Sequence, residues 1–110
     1  MFIEIKSDFE IFYAPLCEGH TFELADPKQV GTPFLINLNH VQRVYFGKLQ
    51  PLDVNIRKEP TWTKLNGTNY IGFYIPSESE RDSFSLFFKD SAMGEFQRIK
   101  RLVEELVRPA

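Results

Sequence analysis

One segment near the carboxyl end of the chain restricts the fold more than any other feature. In residues 90–107, apolar side chains recur at steps of three and four, which places them on one stripe of an α-helix. The stripe contains Met93, Phe96, Ile99, Leu102, Val103, Leu106 and Val107. A helix of this kind needs a second layer against which its apolar stripe is buried, and the preceding chain has the pattern of strands. We therefore predict that the helix covers a β-sheet.

Short segments of alternating apolar and polar residues precede the helix, and this alternation is typical of half-buried strands. Residues 26–33 contain Gly31 and two prolines and are predicted as a loop. The fold class is therefore α+β, with a mostly antiparallel sheet or a partly closed barrel of about seven strands, covered by the one C-terminal helix. The candidate strands are residues 2–6, 9–13, 21–24, 33–46 with a break at Asn39-His40, 52–57, 61–65, 68–75 and 83–88.

Two hairpins are predicted from local turn signals. Asn66-Gly67 is the strongest turn signal in the chain, because both residues tolerate the positive φ of a type I′ turn. It would connect residues 61–65 to residues 68–75. Ser7-Asp8 separates the first two candidate strands, so the first 13 residues are also consistent with a hairpin.

Strand alternation divides the apolar residues of the sheet between two faces. The face that the helix is predicted to cover carries Ile71, Phe73, Ile75, Phe84, Leu86 and Phe88. The opposite, outer face carries Trp62, Tyr70, Tyr74 and Phe87. Because one-sided antiparallel sheets usually keep the outer face polar, these aromatic residues indicate either a second packed layer or a protein-binding surface.

The composition is that of one folded domain, residues 1–110, with 43% hydrophobic and 15% aromatic residues. Cys17 is the only cysteine, so no intramolecular disulfide forms, and we expect a cytoplasmic protein. The sequence shows no secretory signal and no apolar run that could cross a bilayer, so no membrane insertion is expected. The net charge is −2, but residues 41–70 carry five basic and two acidic side chains, whereas residues 1–40 carry two basic and six acidic ones.

The order of the predicted elements resembles that of pleckstrin-homology-like domains, in which a bent sheet is closed by a final helix. The resemblance covers the whole chain and rests on element order rather than on a motif. The final helix lacks the tryptophan that such domains commonly carry. The first loop, Lys6-Ser7-Asp8, is followed by an acidic stretch, whereas the phosphoinositide-binding members carry basic residues there. The resemblance therefore implies a fold and does not imply lipid binding.

Two groups of residues contain the side chains that catalytic and metal sites use. The first group is Cys17, Glu18, His20 and His40, and the second is Glu78, Glu80 and Asp82. A Cys-x-x-His spacing is common by chance, and the carboxylates do not have the spacing of an EF-hand loop. We therefore expect no catalytic residue, metal or cofactor, and no enzymatic activity.

These observations favour a non-enzymatic protein-interaction module or small regulatory domain that binds through an aromatic and basic face of its sheet. The partner would be another protein or a second copy of the chain. The alternative is a nucleic-acid or anionic-ligand binding domain that uses the basic residues 41–70, since basic groups beside aromatic rings suit single-stranded nucleic acid. The predicted anchors are Trp62, Tyr70 and Tyr74, and the residues that would orient the partner are Arg57, Lys58 and Lys64.

Overall fold

Seven strands and one α-helix form the part of the chain that the computed structural model describes, which is residues 1–15, 27–49, 64–76 and 83–107. Short 3-10 helices lie at Leu38–His40 and Asp90–Ala92. The strands are β1 (Phe2–Ile5), β2 (Asp8–Pro15), β3 (Lys28–Val30), β4 (Phe34–Asn37), β5 (Arg43–Lys48), β6 (Asn69–Tyr74) and β7 (Phe84–Phe88), and the helix is α1 (Met93–Val107). The predicted α+β class and the C-terminal helix are confirmed.

All strand pairings are antiparallel, as the sequence predicted. One sheet has five strands in the order β3-β2-β7-β6-β5, and a second sheet consists of β1 and β4. The strands do not form a closed barrel, because within the described residues β3 and β5 each pair with a single neighbour. None of the described helices is long and apolar enough to span a bilayer.

The predicted N-terminal hairpin is wrong, because β1 pairs with β4 and not with β2. Ile3 lies opposite Ile36, and both side chains are buried in the core beneath α1. Burial of these residues stabilises the pairing of β1 with β4. A hairpin of β1 with β2 would need a tight turn at Ser7, and no glycine there supports one. The predicted loop 26–33 is also partly wrong, since it contains β3, which pairs with β2 across a register shift.

The turn at Asn66-Gly67 is confirmed, but the predicted hairpin around it is wrong. Gly67 has a φ of 78°, and the N–H of Thr68 donates to the carbonyl of Leu65 at 3.0 Å. However, β6 pairs with β5 on one side and β7 on the other, so neither edge is available to residues 64–65. The predicted strands at 21–24 and 52–57, and residues 61–63 of a third, lie outside the described residues.

The main core lies between α1 and the two sheets. Phe88 meets Phe96 of the helix edge to face, with 5.4 Å between ring centroids, and Phe84 stacks on Phe73 at 5.2 Å. This confirms the predicted inner face of the sheet. The buried residues of this core are Ile3, Ile5, Ile11, Val30, Ile36, Ile71, Phe73, Leu86, Phe88, Ala92, Phe96, Ile99 and Val103.

Arg98 ties α1 to β1. Its Nη2 donates to the backbone carbonyl of Glu4 at 2.9 Å and to the carboxylate of Glu95 at 2.8 Å, and its Nε donates to the same carboxylate at 3.1 Å. The hydrogen bond from Arg98, reinforced by its charge, holds the pKa of Glu95 below the ordinary value. The same hydrogen bond raises the pKa of Arg98. The pair therefore stays ionised at neutral pH and connects two layers of the fold.

Candidate functional site

The structure describes three of the six residues that the sequence proposed for partner binding. Tyr70 and Tyr74 are half-buried on the outer face of β6, and Lys64 is exposed immediately before the Asn66-Gly67 turn. Trp62, Arg57 and Lys58 lie outside the described residues. Their predicted role in partner binding stays a prediction.

The outer face of the sheet carries a second, smaller core. Tyr70 and Phe87 are cross-strand neighbours whose ring centroids lie 5.7 Å apart, and Phe87 is 0% exposed. Leu49 and Leu65, each at the end of a described segment, pack on the same rings. We refer to Phe12, Ala14, Leu49, Leu65, Phe87 and the packed side of Tyr70 as the outer core. The sequence left two interpretations of the outer-face aromatic residues, a second packed layer or a protein-binding surface. Around Phe87 and Tyr70 the structure shows the packed layer.

A glycine in β5 makes room for the outer core. Gly47 lies opposite Tyr70 in the ladder, and a Cβ at Gly47 would lie 3.0 Å from Cε1, Cζ and the hydroxyl oxygen of that ring. The tyrosine ring therefore lies across the backbone of β5. This contact uses Tyr70 for folding and leaves less of its surface for a partner.

The proposed catalytic and metal groups are mostly outside the part of the chain that can be described. Among them only His40 is placed, and its side chain is exposed at the end of a 3-10 helix. Cys17, Glu18, His20, Glu78, Glu80 and Asp82 lie outside the described residues. In residues 1–15, 27–49, 64–76 and 83–107, no three His, Cys, Asp or Glu side chains are placed to hold a metal ion.

Strand β5 is an edge of the five-stranded sheet, and within the described residues its only strand neighbour is β6. Just beyond the strand, the N–H of Leu49 donates to the carbonyl of Thr68 at 3.0 Å, so this residue faces the β6 side. Hydrogen-bonding direction alternates along an antiparallel strand. The backbone N–H and C=O groups of Val44 and Phe46 therefore point away from β6, and a further strand could pair with them.

An apolar groove of about 320 Å³ lies beside this edge, between β5, the chain before it and the last turns of α1. Three large apolar side chains at the groove are exposed to an unusual degree: Met1 by 59%, Phe46 by 39% and Leu106 by 40%. Leu106 belongs to the predicted apolar stripe of the helix, but the core ends before this residue. We call this feature the edge groove; its further lining residues are Leu38, Asn39, Val41, Gln42, Arg43, Val44, Val103 and Glu104.

Charged side chains of α1 and of β5 itself lie around this strand. The ammonium of Lys100 lies 5.6 Å from the ring centroid of Phe46 and 3.9 Å from the carboxylate of Glu104. Arg43 lies opposite Tyr74 in the ladder and also lines the edge groove, and it forms no ion pair within the described residues.

The edge groove could not be predicted from the sequence. Its apolar lining comes from three separate segments, and the exposure of Phe46 depends on the position of β5 within the sheet. One local signal was present, because Gly47 and Lys48 end the strand and such residues are common in edge strands.

The chain matches no protein-family model, and no curated protein or solved structure is significantly similar to it. The geometry of β5 and the edge groove is therefore the basis of the proposed function.

Proposed function

We propose that this domain is a non-enzymatic protein-interaction module that binds an extended segment of a partner protein along β5. The observation that carries the proposal is the combination of a strand edge that no other described strand covers with an apolar groove beside it. Exposed apolar side chains that cluster around a groove are typical of interaction sites. Here the cluster is formed by Met1, Phe46 and Leu106.

Addition of a strand would satisfy the backbone groups of β5 and cover its apolar side chains together. The outward N–H and C=O groups of Val44 and Phe46 would pair with the backbone of the partner. Alternate side chains of the added strand would enter the edge groove beside Phe46 and Leu106. An interface of one short strand is small, so we expect a dissociation constant of about 1–100 μM.

The test is a selection of random 12-residue peptides on the immobilised domain, followed by titration of the selected peptides into isotope-labelled protein. We expect backbone amide shifts at β5 and in the last turns of α1. Phe46→Asp should weaken binding at least 10-fold, because it places a charge in the apolar site. Phe9→Asp is the matched control, since Phe9 is exposed in β2, away from the edge groove.

Peptides that bind equally well to both variants would place the site elsewhere and refute the proposal. The nucleic-acid alternative has its own test, because single-stranded oligonucleotides should then bind with a strong dependence on salt. Binding that is lost in Lys64→Glu and Trp62→Ala but kept in Phe46→Asp would support that alternative.

A further inference from the structure

We infer that Arg98 protects the free edge of β1 against the addition of a further strand, and so keeps the two-stranded sheet from pairing with a second copy of this chain. This sheet is separate from the one that contains β5. A strand edge with unpaired backbone groups is a template for another chain, and folded proteins often cover such an edge with a charged side chain. In β1 that side chain comes from α1.

The backbone of β1 has one paired side and one free side. The N–H of Leu38, which follows β4, donates to the carbonyl of Met1 at 2.9 Å, so the backbone groups of Met1 face β4. Because hydrogen-bonding direction alternates along an antiparallel strand, the backbone groups of Phe2 and Glu4 face the opposite way. Within the described residues β1 pairs with β4 alone, so no described strand covers this second side.

The guanidinium of Arg98 lies on the free side of β1. Its Nη2 donates to the carbonyl of Glu4 at 2.9 Å, and an added strand would need that carbonyl as an acceptor. Hydrogen bonds of 2.8, 3.1 and 3.2 Å to the carboxylate of Glu95 hold the guanidinium in this position. A planar guanidinium can bind a carboxylate and a carbonyl at once, whereas a lysine ammonium lacks this fixed geometry. An incoming strand would have to displace the contact and desolvate the charge.

An apolar surface beside this edge would favour strand addition in the absence of the guanidinium. Phe2 and Leu35 are exposed by 59% and 61%, and both lie on the outward face of the two-stranded sheet. Ile3 and Ile36, which alternate with them, are buried in the core. A strand of a second copy would cover part of this surface and pair the free backbone groups of β1 at the same time. The guanidinium therefore closes an edge that is both unpaired and apolar.

The test is sedimentation velocity over a series of protein concentrations. We expect Arg98→Ala to self-associate at least about 10-fold more tightly than the parent, because the edge loses both a donor and a charge. Arg98→Lys keeps the charge but not the fixed geometry, so it should restore the behaviour of the parent only in part. Arg101→Ala is the matched control, since Arg101 is exposed on the same helix and has no hydrogen bond to β1 within the described residues.

Hydrogen exchange identifies the edge that is used. The amide of Glu4 faces the free side of β1, whereas the amide of Leu35 faces away from β1 at the other edge of the sheet. We expect slower exchange at Glu4 in Arg98→Ala, with unchanged exchange at Leu35. Glu4→Pro removes the outward N–H without removing a hydrogen bond to β4. Combined with Arg98→Ala, it should abolish the additional self-association.

Ile99→Val separates lost protection from lost stability, because it weakens the core beneath the sheets without altering the hydrogen bond between Arg98 and Glu4. Equal self-association of Ile99→Val and Arg98→Ala would overturn the inference. An Arg98→Ala variant that sediments as the parent does would also overturn it, as would self-association that leaves exchange at Glu4 unchanged. Self-association that Phe46→Asp abolishes would place the contact at β5 and equally exclude the role of Arg98. Peptide binding at β5 is measured separately and tests only the proposed function.

Discussion

Replacement of Phe87 by alanine tests the outer core directly. Strand alternation alone places this ring on the outer face of the sheet, whereas the structure buries it completely against Tyr70, Phe12 and two leucines. Removing a fully buried phenylalanine costs about 3–5 kcal/mol, because the lost burial is compounded by the cavity that remains. Removing an exposed one should change stability by less than about 0.5 kcal/mol. The two interpretations of Phe87 therefore differ by an amount that is easily measured.

For a domain of 110 residues, the unfolding entropy at the melting temperature is about 0.23 kcal/mol per kelvin. A loss of 3–5 kcal/mol then lowers Tm by about 13–22 °C. The assay is urea unfolding followed by circular dichroism, with a thermal melt of the same samples. The total free energy of unfolding of a domain is typically about 5–15 kcal/mol. Phe87→Ala therefore shows an unfolding transition only where the free energy of unfolding of the parent exceeds the expected loss.

Phe87→Leu gives a second measurement if the alanine variant does not fold, with an expected loss of about 1–2 kcal/mol. Phe9→Ala is the matched control, because Phe9 is 70% exposed in the same sheet, and its Tm should shift by no more than about 2 °C. Equal, small shifts for Phe87→Ala and Phe9→Ala would show that no outer core exists and would refute the reasoning.

Three further substitutions test separate contacts. Gly47→Ala should cost about 1–3 kcal/mol in urea unfolding, because its Cβ would lie 3.0 Å from the ring of Tyr70; an unchanged midpoint would contradict that contact. Gly94→Ala should instead stabilise by about 0.5–1 kcal/mol, since nothing lies within 4 Å of its Cβ and alanine favours the helix; a loss would contradict the open space. Arg98→Met should cost about 0.5 kcal/mol at pH 7, where solvent screens its pair with Glu95. The lowered pKa of Glu95 makes the contribution of the pair complete above the ordinary glutamate pKa and lost as the pH falls through the folded-state value, so the gap between parent and variant should narrow in acid to the contribution of the Arg98–Glu4 hydrogen bond; a gap that does not narrow would show that the pair is not its source.

Much of the local structure could be predicted because it depends on residues close together in the chain. The period of three and four in residues 93–106 identified α1, and period-two alternation identified β6 and β7 with Phe73 and Phe88 on the buried face. Asn66-Gly67 identified a turn from the positive φ that Gly67 adopts. Strand β3 was missed, because three residues are too few to show a period.

The partners of the strands could not be predicted in the same way. Alternation tells which face a side chain occupies, but it does not tell which strand lies alongside. Thus β1 pairs with β4, about 30 residues away, and β6 has β5 and β7 as neighbours in place of the segment before the turn. The candidate site depends on this order, since within the described residues β5 pairs with β6 alone.

The sequence by itself determined the elements of this protein: one amphipathic helix, several short strands, and the inner face that the helix covers. Only the tertiary structure decided the use of the outer face. There Leu49 and Leu65 converge on Phe87 and bury it in a packed layer, one of the two alternatives that the sequence left open, whereas Phe46 is left exposed beside Leu106. The physical reason is that periodicity is a property of neighbouring residues, while burial depends on which distant segments pack against one another.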